Sequence, residues 1–440
     1  MTIAEIAENV TRLLGSEADE LGTSSGFIQR RRKLSGSSFA QMLVGGALGT
    51  PELSYTDMVQ YAALADVKIS AQGVAQRFTA TGARFMAALL ERAVNYVVAS
   101  ELSVVVPVLT QFTGVYIRDS SVIGLPRSLV EHWPGVGNAA GESAAVKLQV
   151  RLNYNTGALD GPVLQAGRMA DRSTPYCSDD EPRGSLSLAD LGYFNLEELR
   201  ERDQRGQYVI VRYKQGTVLY TAGGTRLDLL AWLQQLNEPR AELQVCVGQR
   251  QRLPMRLLVE RVPSEVAEQR RRRLREYARK KQTTPRAETL ALTEWTMVLT
   301  NAPGTMLTFE AVQVLLYVRW QVELLFKLWK SQLRVDEWRS DNPWRILCEL
   351  YGKLIAAVLS QWVFQLELWR YPDRSLVKAT LALQKFAGSL VQALRHPEAL
   401  AATLQWISDC ICHTAHTNKR RQRPATFQAL LACPVSGGLT

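Results

Sequence analysis

Cysteine and histidine are scarce in this chain, which has six cysteines and four histidines among 440 residues. Small secreted domains that are stabilised by disulfides contain cysteine at a higher density than this chain. We therefore expect reduced thiols and a cytoplasmic protein. The one cluster is Cys410, Cys412, His413 and His416. Its residue types suit zinc, but its spacing matches no common two-knuckle site. It is either a metal site or an ordinary helix end, and the spacing favours the helix end.

Long apolar segments and low-complexity tracts are also missing. The longest apolar stretches, such as Leu354–Leu359, are far shorter than the roughly 18 to 20 residues that cross a bilayer. The opening segment MTIAEIAEN carries acidic residues where a secretory signal would be basic. With 46% hydrophobic and 21% charged residues, the chain can bury a full core and is not intrinsically disordered. We expect a globular protein with no membrane partner.

The charge balance is basic. Lysine and arginine number 52 against 42 aspartate and glutamate residues, which gives a formal net charge of +10. A globular protein this basic favours a polyanionic partner, nucleic acid ahead of a membrane surface. At roughly 100 to 200 residues per domain, the length allows two to four domains.

The first region, residues 1–102, has helical patterns. Ser54 can cap a helix that runs to Leu64, and apolar spacing predicts a second helix over Ala80–Ala99. Between them, Ile69–Phe78 resembles part of a helix-turn-helix unit, and the basic run Gln29–Lys33 precedes both. This pattern predicts a helical N-terminal DNA-binding domain, although a helical domain without that function gives the same pattern.

Short apolar runs rich in β-branched residues begin at residue 103 and predict the first part of an α/β core over 103–206. A helix is predicted over Phe194–Asp203. The predicted strands are Ser103–Val108, Gly114–Asp119, Lys147–Tyr154, Ala158–Leu164, Ser185–Asp190 and Gln207–Lys214.

Residues 207–300 predict a β-rich insertion that contains a very basic helix. Gln269–Lys281 holds eight cations and one acid, so Arg271 and Arg272 are predicted to contact DNA phosphates, with a solvated face as the alternative. A strand over Leu292–Thr300 and a long helix over Thr308–Leu333 follow. The second part of the core is assigned to 301–340 and a helical C-terminal region to 341–440.

Three carboxylates stand out by their positions. Asp119 and Asp190 end predicted strands, and Glu323 lies within the long helix. Carboxylates that share one site raise each other's pKa, and a divalent cation removes that conflict. Hard oxygen ligands suit Mg²⁺, and a metal pair can activate a water or a 3′-hydroxyl at a phosphodiester. Two carboxylates at strand ends and a third on a helix can converge on one point, and a metal site formed there could carry phosphodiester chemistry.

Four charged residues of the long helix fall on one narrow stripe. Around an ideal helix, three cations lie within about 40° of Glu323: Arg319, Lys327 and Lys330. A simple ladder of i, i+4 salt bridges gives the same pattern. Trp320, Phe326 and Trp329 surround the stripe, which favours a packed helix over a solvated one.

The segment Tyr317–Lys330 resembles the Y-R-E-K signature of the DDE transposases of insertion sequence family four. That signature reads Tyr, two residues, Arg, three residues, Glu, six residues, Lys, and Arg319, Glu323 and Lys330 keep its last intervals. The tyrosine departs by one position, because residue 316 is leucine and the tyrosine is Tyr317. The contexts of Asp119, of Asp190 and of Trp295–Asn301 are also similar to the family's, and the resemblance covers roughly residues 25 to 430.

The resemblance implies an RNase H-like catalytic core in which Asp119, Asp190 and Glu323 bind two Mg²⁺ ions, for which Mn²⁺ can substitute. It implies cut-and-paste transposition through hairpin ends, with double-stranded transposon and target DNA as partners. It also implies a homodimer in the synaptic complex and a bacterial, nucleoid-associated protein. Arg319, Lys327 and Lys330 would contact terminal phosphates. Tyr317 is carried over as a DNA contact, and Trp295 either stacks an extruded base or packs in the core.

Two other functions fit the same sequence. An RNase H-like nuclease would cut DNA without joining it, and a basic DNA-binding protein that is not an enzyme would bind DNA without cutting. The three acidic residues favour an enzyme over a binding protein.

Overall fold

The computed structural model describes residues 2–30, 33–96, 106–137, 141–371, 373–418 and 424–433. The chain divides into two compact units. The first unit comprises Met1–Val106, Arg118–Pro175 and Trp320–Gln428, and the second comprises Pro107–Ile117, Tyr176–Arg319 and Ala429–Thr440.

Helices make up most of the first unit and flank the strands of the second. In chain order they are α1 (Ile3–Arg12), α2 (Ala18–Ser24), α3 (Gly36–Gly49), α4 (Tyr55–Leu64), α5 (Ala71–Ala75), α6 (Ala80–Val94), α7 (Leu196–Gln204), α8 (Leu229–Gln234), α9 (Ser264–Lys280), α10 (Ala287–Ala291), α11 (Phe309–Val318), α12 (Trp320–Gln332), α13 (Pro343–Glu367), α14 (Leu376–Lys385), α15 (Ala387–Ala393), α16 (Pro397–Thr414) and α17 (Thr426–Leu431).

The strands within the described residues are β1 (Val115–Leu125), β2 (Ala144–Asn153), β3 (Leu159–Ala166), β4 (Leu186–Ala189), β5 (Tyr208–Arg212), β6 (Leu219–Thr221), β7 (Arg240–Val247), β8 (Leu253–Arg261) and β9 (Trp295–Thr300). The division between the units falls within β1: residues up to Ile117 belong to the second unit, and residues from Arg118 onward belong to the first.

The β-rich insertion extends the sheet of the second unit. Its strand order is β1-β4-β5-β9-β8-β7-β6, so the strands that lie between β5 and β9 in sequence are added beyond β9. The β4–β5 pair is parallel, and the pairs from β5–β9 outward are antiparallel. Asn301, just after β9, fixes this junction: its side chain accepts from the Val209 N–H (2.8 Å) and donates to the Gln207 carbonyl (2.9 Å).

In the first unit, β2 pairs with β1 and with β3 at the sheet edge. The β2–β3 turn is Asn155–Gly157, as the sequence predicts, and the antiparallel pair aligns Lys147 with Gln165. Gln361 of α13 donates to the Gly157 carbonyl (2.6 Å), and the Trp369 indole donates to the Tyr154 carbonyl (2.9 Å). The hairpin is therefore held by the C-terminal helices.

Helix α13 is the central helix of the first unit and packs against α3 and α6. Asn342 caps its N-terminus by accepting from the Trp344 N–H (2.9 Å), and Pro343 occupies the first turn. By length and composition, Pro343–Leu366 could cross a membrane, but 94% of its most apolar window is buried inside the protein. A core helix passes the same test, so this finding is weak evidence for a membrane span. The sequence did not predict so long an apolar helix.

The α/β class with a β-rich insertion and helical flanks is confirmed, but four local predictions are wrong or incomplete. The strand predicted to end at Asp119 continues to Leu125 as β1, so Asp119 does not end a strand. The helix predicted over Thr308–Leu333 is interrupted at Arg319, between α11 and α12. Residues 106–108 are not a strand, and the rest of the strand predicted over Ser103–Val108 lies outside the described residues. The helix predicted to reach Ala99 ends at Val94. Residues 31 and 32 of the basic run Gln29–Lys33 lie outside the described residues, and so do residues 419–423 of a second basic run in the sequence, Asn418–Arg423.

Candidate active site and DNA-binding residues

Asp119 lies near the middle of β1 and is half-buried. One of its carboxylate oxygens, Oδ1, accepts a hydrogen bond from the Ser120 backbone N–H (2.8 Å). The Ser120 hydroxyl donates to Asp171 Oδ1 (2.7 Å), and the Lys147 ammonium donates to the same oxygen (2.8 Å). Asp119 is thus followed by a serine that is tied to an ion pair between a buried lysine and a partly exposed aspartate.

The ionisation of Asp171 reflects two opposing effects. Partial burial raises the pKa of this carboxyl, but the hydrogen bonds from Lys147 and Ser120 outweigh burial and lower the pKa below its usual value. Asp171 is therefore a carboxylate at neutral pH.

Glu323 lies in the first turn of α12 and is half-buried. Lys327, one turn later, is exposed, and its ammonium lies 5.0 Å from the centre of the Trp320 ring. Lys330 is half-buried, and its ammonium donates to the Val122 carbonyl of β1 (3.3 Å). Within the first unit, this hydrogen bond thus joins α12, which carries Glu323, to β1, which carries Asp119.

Arg319 lies at the break between α11 and α12 and is buried, with 7% of its surface exposed. The stripe on α12 itself contains Glu323, Lys327 and Lys330, whereas Arg319, whose dihedral angles are helical (φ −50°, ψ −34°), lies just before that helix. Tyr317 is 69% exposed and therefore does not pack in the core. Its predicted contact with DNA stays a prediction, as does the match to the family's signature.

Asp190 belongs to the second unit. It directly follows β4 and is half-buried, and a turn of 3₁₀ helix begins after it at Leu191–Tyr193. The start of β4 is held by a hydrogen bond in which the Leu186 N–H donates to the Gly114 carbonyl (2.8 Å). Asp190 thus lies at the carboxyl end of a strand, as the sequence predicts.

Asp119 and Glu323 belong to the first unit and Asp190 to the second. In the part of the chain that the structure describes, no group of three or more His, Cys, Asp or Glu side chains is placed to hold a metal ion. The assignment of these three carboxylates to one metal site stays a prediction.

The basic helix, α9, uses part of its charge within the second unit. Arg271 pairs with Glu294 and with Glu268, and only a quarter of its side chain is exposed. Arg270, which the sequence did not single out, donates to the Trp295 carbonyl (3.1 Å). Arg272 is 79% exposed and pairs with Glu276 (3.0 Å) on its own helix. Arg272 is therefore the better placed of the two predicted phosphate contacts.

Trp295 packs in the hydrophobic core of the second unit, with 5% of its surface exposed. The Arg261 guanidinium lies 4.7 Å from its ring centre. This is the core packing that the sequence left open. A role in stacking an extruded base would require the ring to leave the core, and it stays a prediction.

The cysteine–histidine cluster forms the end of α16. His416 uses both ring nitrogens: Nδ1 bonds Asp373 Oδ2 (3.0 Å) and Nε2 bonds the Cys412 carbonyl (2.8 Å). The hydrogen bond with Asp373 raises the pKa of His416 above its usual value. These bonds support the reading of an ordinary helix end.

Sequence reasoning missed Lys147 and Asp171. Lys147 was included in a predicted half-buried strand, and Asp171 lies in a polar segment after β3. A signal was present, because a lysine in a strand whose neighbours are apolar needs a partner when the strand is buried.

Comparison with known proteins assigns the chain to a family. The model of the transposase DDE domain matches residues 110–359. The transposase for insertion sequence element IS231B of Bacillus thuringiensis subsp. berliner is 26% identical over 444 residues, which cover 95% of this chain and 93% of that protein. The IS231C transposase of the same organism is 28% identical and covers 87% of this chain and 85% of its own length.

Among solved structures, a chain in the cryo-EM structure of the piggyBac transposase synaptic complex with hairpin DNA is 9% identical to this chain. The alignment covers 92% of this chain and 84% of that chain, with a TM-score of 0.46. The family model, by contrast, spans more than half of the sequence and includes all three predicted acidic residues. The chain belongs to the family of transposases with a DDE domain, which are enzymes that in general depend on divalent metal ions.

Proposed function

We propose that this chain is a cut-and-paste DNA transposase that cleaves the ends of its element through hairpin intermediates and joins them to target DNA. The observation that carries the proposal is the DDE domain match over residues 110–359, which contains Asp119, Asp190 and Glu323. The relatives are named as transposases for insertion sequence elements, which supports transposon ends as the substrate.

We propose that Asp119, Asp190 and Glu323 hold two Mg²⁺ ions, with Mn²⁺ able to substitute. The donor chemistry fits, because all three are carboxylates, the hard oxygen ligands that Mg²⁺ prefers, and all three are half-buried rather than fully solvated. Divalent ions at such a site activate the attacking water or hydroxyl and stabilise the leaving oxygen.

The remaining residues would bind and orient the DNA. Lys327 and Arg272 offer exposed cations to phosphates, which fixes the position of the substrate without reading its sequence. Lys330 would contribute from beside β1, and Arg319 from the break between α11 and α12. Pairing two transposon ends requires two protomers, so we propose a homodimer in the synaptic complex, acting on the bacterial nucleoid in the cytoplasm.

The test is an incubation of the purified full-length protein with a duplex that carries the end of its own element, with and without Mg²⁺. Metal-dependent nicks followed by hairpin and strand-transfer products would support the proposal. Nicks without joining would indicate a nuclease, and a shifted band without cleavage would indicate a binding protein. Asp119→Asn should abolish cleavage and leave end binding intact, with Asp160→Asn on β3 as a charge-matched control in the same unit.

A further inference from the structure

Lys147 is a nearly buried cation in the middle of β2. Its side chain is 8% exposed, and every residue of the strand except Asn153 is buried. Removing an ammonium ion from water is costly unless hydrogen bonds and an opposite charge compensate. An apolar side chain would fill the same place without that cost, so packing alone does not explain a lysine here.

Asp171 supplies the compensating charge. The Lys147 ammonium donates to Asp171 Oδ1 (2.8 Å) and also to the Met169 carbonyl. The pair fixes the segment after β3 against β2. Because Lys147 holds Asp171, the Asp171 carboxylate has a defined orientation toward its second hydrogen-bond donor.

The second donor is the residue next to the predicted metal ligand. The Ser120 hydroxyl donates to Asp171 Oδ1 (2.7 Å), and the Ser120 backbone N–H donates to Asp119 Oδ1 (2.8 Å). The contacts form a continuous chain from Lys147 through Asp171 and Ser120 to Asp119. A side chain that holds Ser120 therefore also fixes the peptide group that bonds the Asp119 carboxylate.

We propose that Asp171 and Lys147 are positioning residues: they hold Ser120 so that its N–H orients the carboxylate of Asp119 toward the metal. The inference rests on the proposed function, in which Asp119 is a metal ligand. Partners outside the ligand shell set the orientation of ligating groups, and their loss typically weakens metal affinity or activity by about 10- to 100-fold.

The same hairpin provides a matched control. Arg151 on β2 pairs with Asp160 on β3 (2.7 Å), with side-chain exposures of 9% and 49%, against 8% and 38% for Lys147 and Asp171. Both pairs join a buried cation of β2 to a partly exposed aspartate. A general effect of breaking an ion pair on β2 should therefore be the same at both positions.

The experiment measures Mn²⁺ binding by electron paramagnetic resonance, with the full-length protein bound to its end DNA, and the Mn²⁺ dependence of cleavage in parallel. The variants are Asp171→Asn, Ser120→Ala, Ser120→Thr and the double variant of Ser120→Ala with Asp171→Asn, beside Asp160→Asn and Asp119→Asn. Thermal unfolding of each variant separates misfolding from a local effect.

We expect Asp171→Asn and Ser120→Ala each to raise the Mn²⁺ concentration for half-saturation by about 10- to 100-fold. The double variant should be no worse than the more affected single variant, because both act on one chain of contacts. Ser120→Thr, which keeps the hydroxyl, should bind Mn²⁺ as the unaltered protein does, and so should Asp160→Asn.

The proposal is overturned if Asp171→Asn shifts Mn²⁺ binding no more than Asp160→Asn, or if the effects of the two single variants multiply. If Asp171→Asn does not fold, Ser120→Ala decides, because it keeps the Lys147–Asp171 pair. If Asp119→Asn leaves Mn²⁺ binding unchanged, the proposed function itself is wrong. Loss of binding in Asp119→Asn without a shift in the Ser120 and Asp171 variants refutes only this inference.

Discussion

The ammonium of Lys330 donates to the backbone carbonyl of Val122, at 3.3 Å. This bond joins the helix that carries Glu323 to the strand that carries Asp119. Along the backbone, Lys330 lies about 10 Å from Glu323 (seven helical residues), and Val122 lies about 10 Å from Asp119 (three strand residues). Lys330 therefore has a structural partner besides any role with DNA, whereas Lys327 is exposed.

The two lysines should differ when each is replaced by methionine. Lys330→Met removes the bond to the Val122 carbonyl and should lower the free energy of unfolding by about 1 kcal/mol. Lys327→Met should change that free energy by no more than about 0.5 kcal/mol, but reduce by about one the slope of log binding constant against log salt for end DNA. Denaturant unfolding and salt titrations of end binding test this. Equal losses of stability in both variants would contradict the structural role of Lys330.

The two arginines of α9 should also separate. Arg272→Ala removes a largely exposed cation and should weaken end binding without a marked change in thermal stability. Arg271→Ala breaks the pairs with Glu294 and Glu268 and should act mainly on stability, by up to about 1 kcal/mol, since a quarter of its side chain is exposed. Band-shift titrations and thermal unfolding of both variants provide the comparison. A loss of DNA binding confined to Arg271→Ala would reverse the assignment.

The β2–β3 turn should tolerate only glycine at position 157. Gly157 has a φ of +75°, and a Cβ there would lie 2.2 Å from Trp369 Cδ2. We expect Gly157→Ala to cost about 2 kcal/mol or more of unfolding free energy. Gly124→Ala is the control, because a Cβ at Gly124 meets no atom within 4 Å and its φ is not positive. Similar melting temperatures for the two variants would show that the turn is less constrained than its contacts indicate.

The His416–Asp373 pair predicts a pH dependence. Since the pKa of His416 is raised on folding, its contribution to stability is full below the unfolded value of about 6.5 and is lost as pH rises through the folded pKa. Asp373→Asn should therefore destabilise the protein at pH 5 to 6 but have little effect above pH 8. With four histidines in the chain, an NMR titration can follow His416 directly. A His416 pKa at its usual value of about 6.5 in the unaltered protein would show that the hydrogen bond with Asp373 does not raise it.

Much of the α/β core was predictable, because strands and helices are set by local alternation and periodicity. The turn at Asn155–Gly157, the strand before Asp190 and the Ser54 cap are all read from adjacent residues. The C-terminal end of β1 was not predictable, because residues beyond Asp119 have partners remote in sequence: Ser120 bonds Asp171, and the Val122 carbonyl accepts from Lys330.

The remaining errors also have a tertiary origin. Apolar spacing continues across Arg319, so periodicity cannot show that the helix stops and restarts there. The burial of Trp295 depends on strands β8 and β9 pairing, and the Lys147–Asp171 pair joins residues 24 positions apart. Charge runs alone likewise did not reveal that Arg271 is paired with Glu294, which lies beyond its own helix.

The measurement that tests the central claim most directly is iron-mediated cleavage of the protein chain. Fe²⁺ is loaded in place of Mg²⁺ into the full-length protein bound to its end DNA, and peroxide then generates radicals that cut the backbone beside the ion. If the three carboxylates share one metal site, cuts should cluster around residues 119, 190 and 323, and Asp119→Asn should remove all three clusters. Cuts near one or two of these segments only, or a pattern unchanged in Asp119→Asn, would contradict the account.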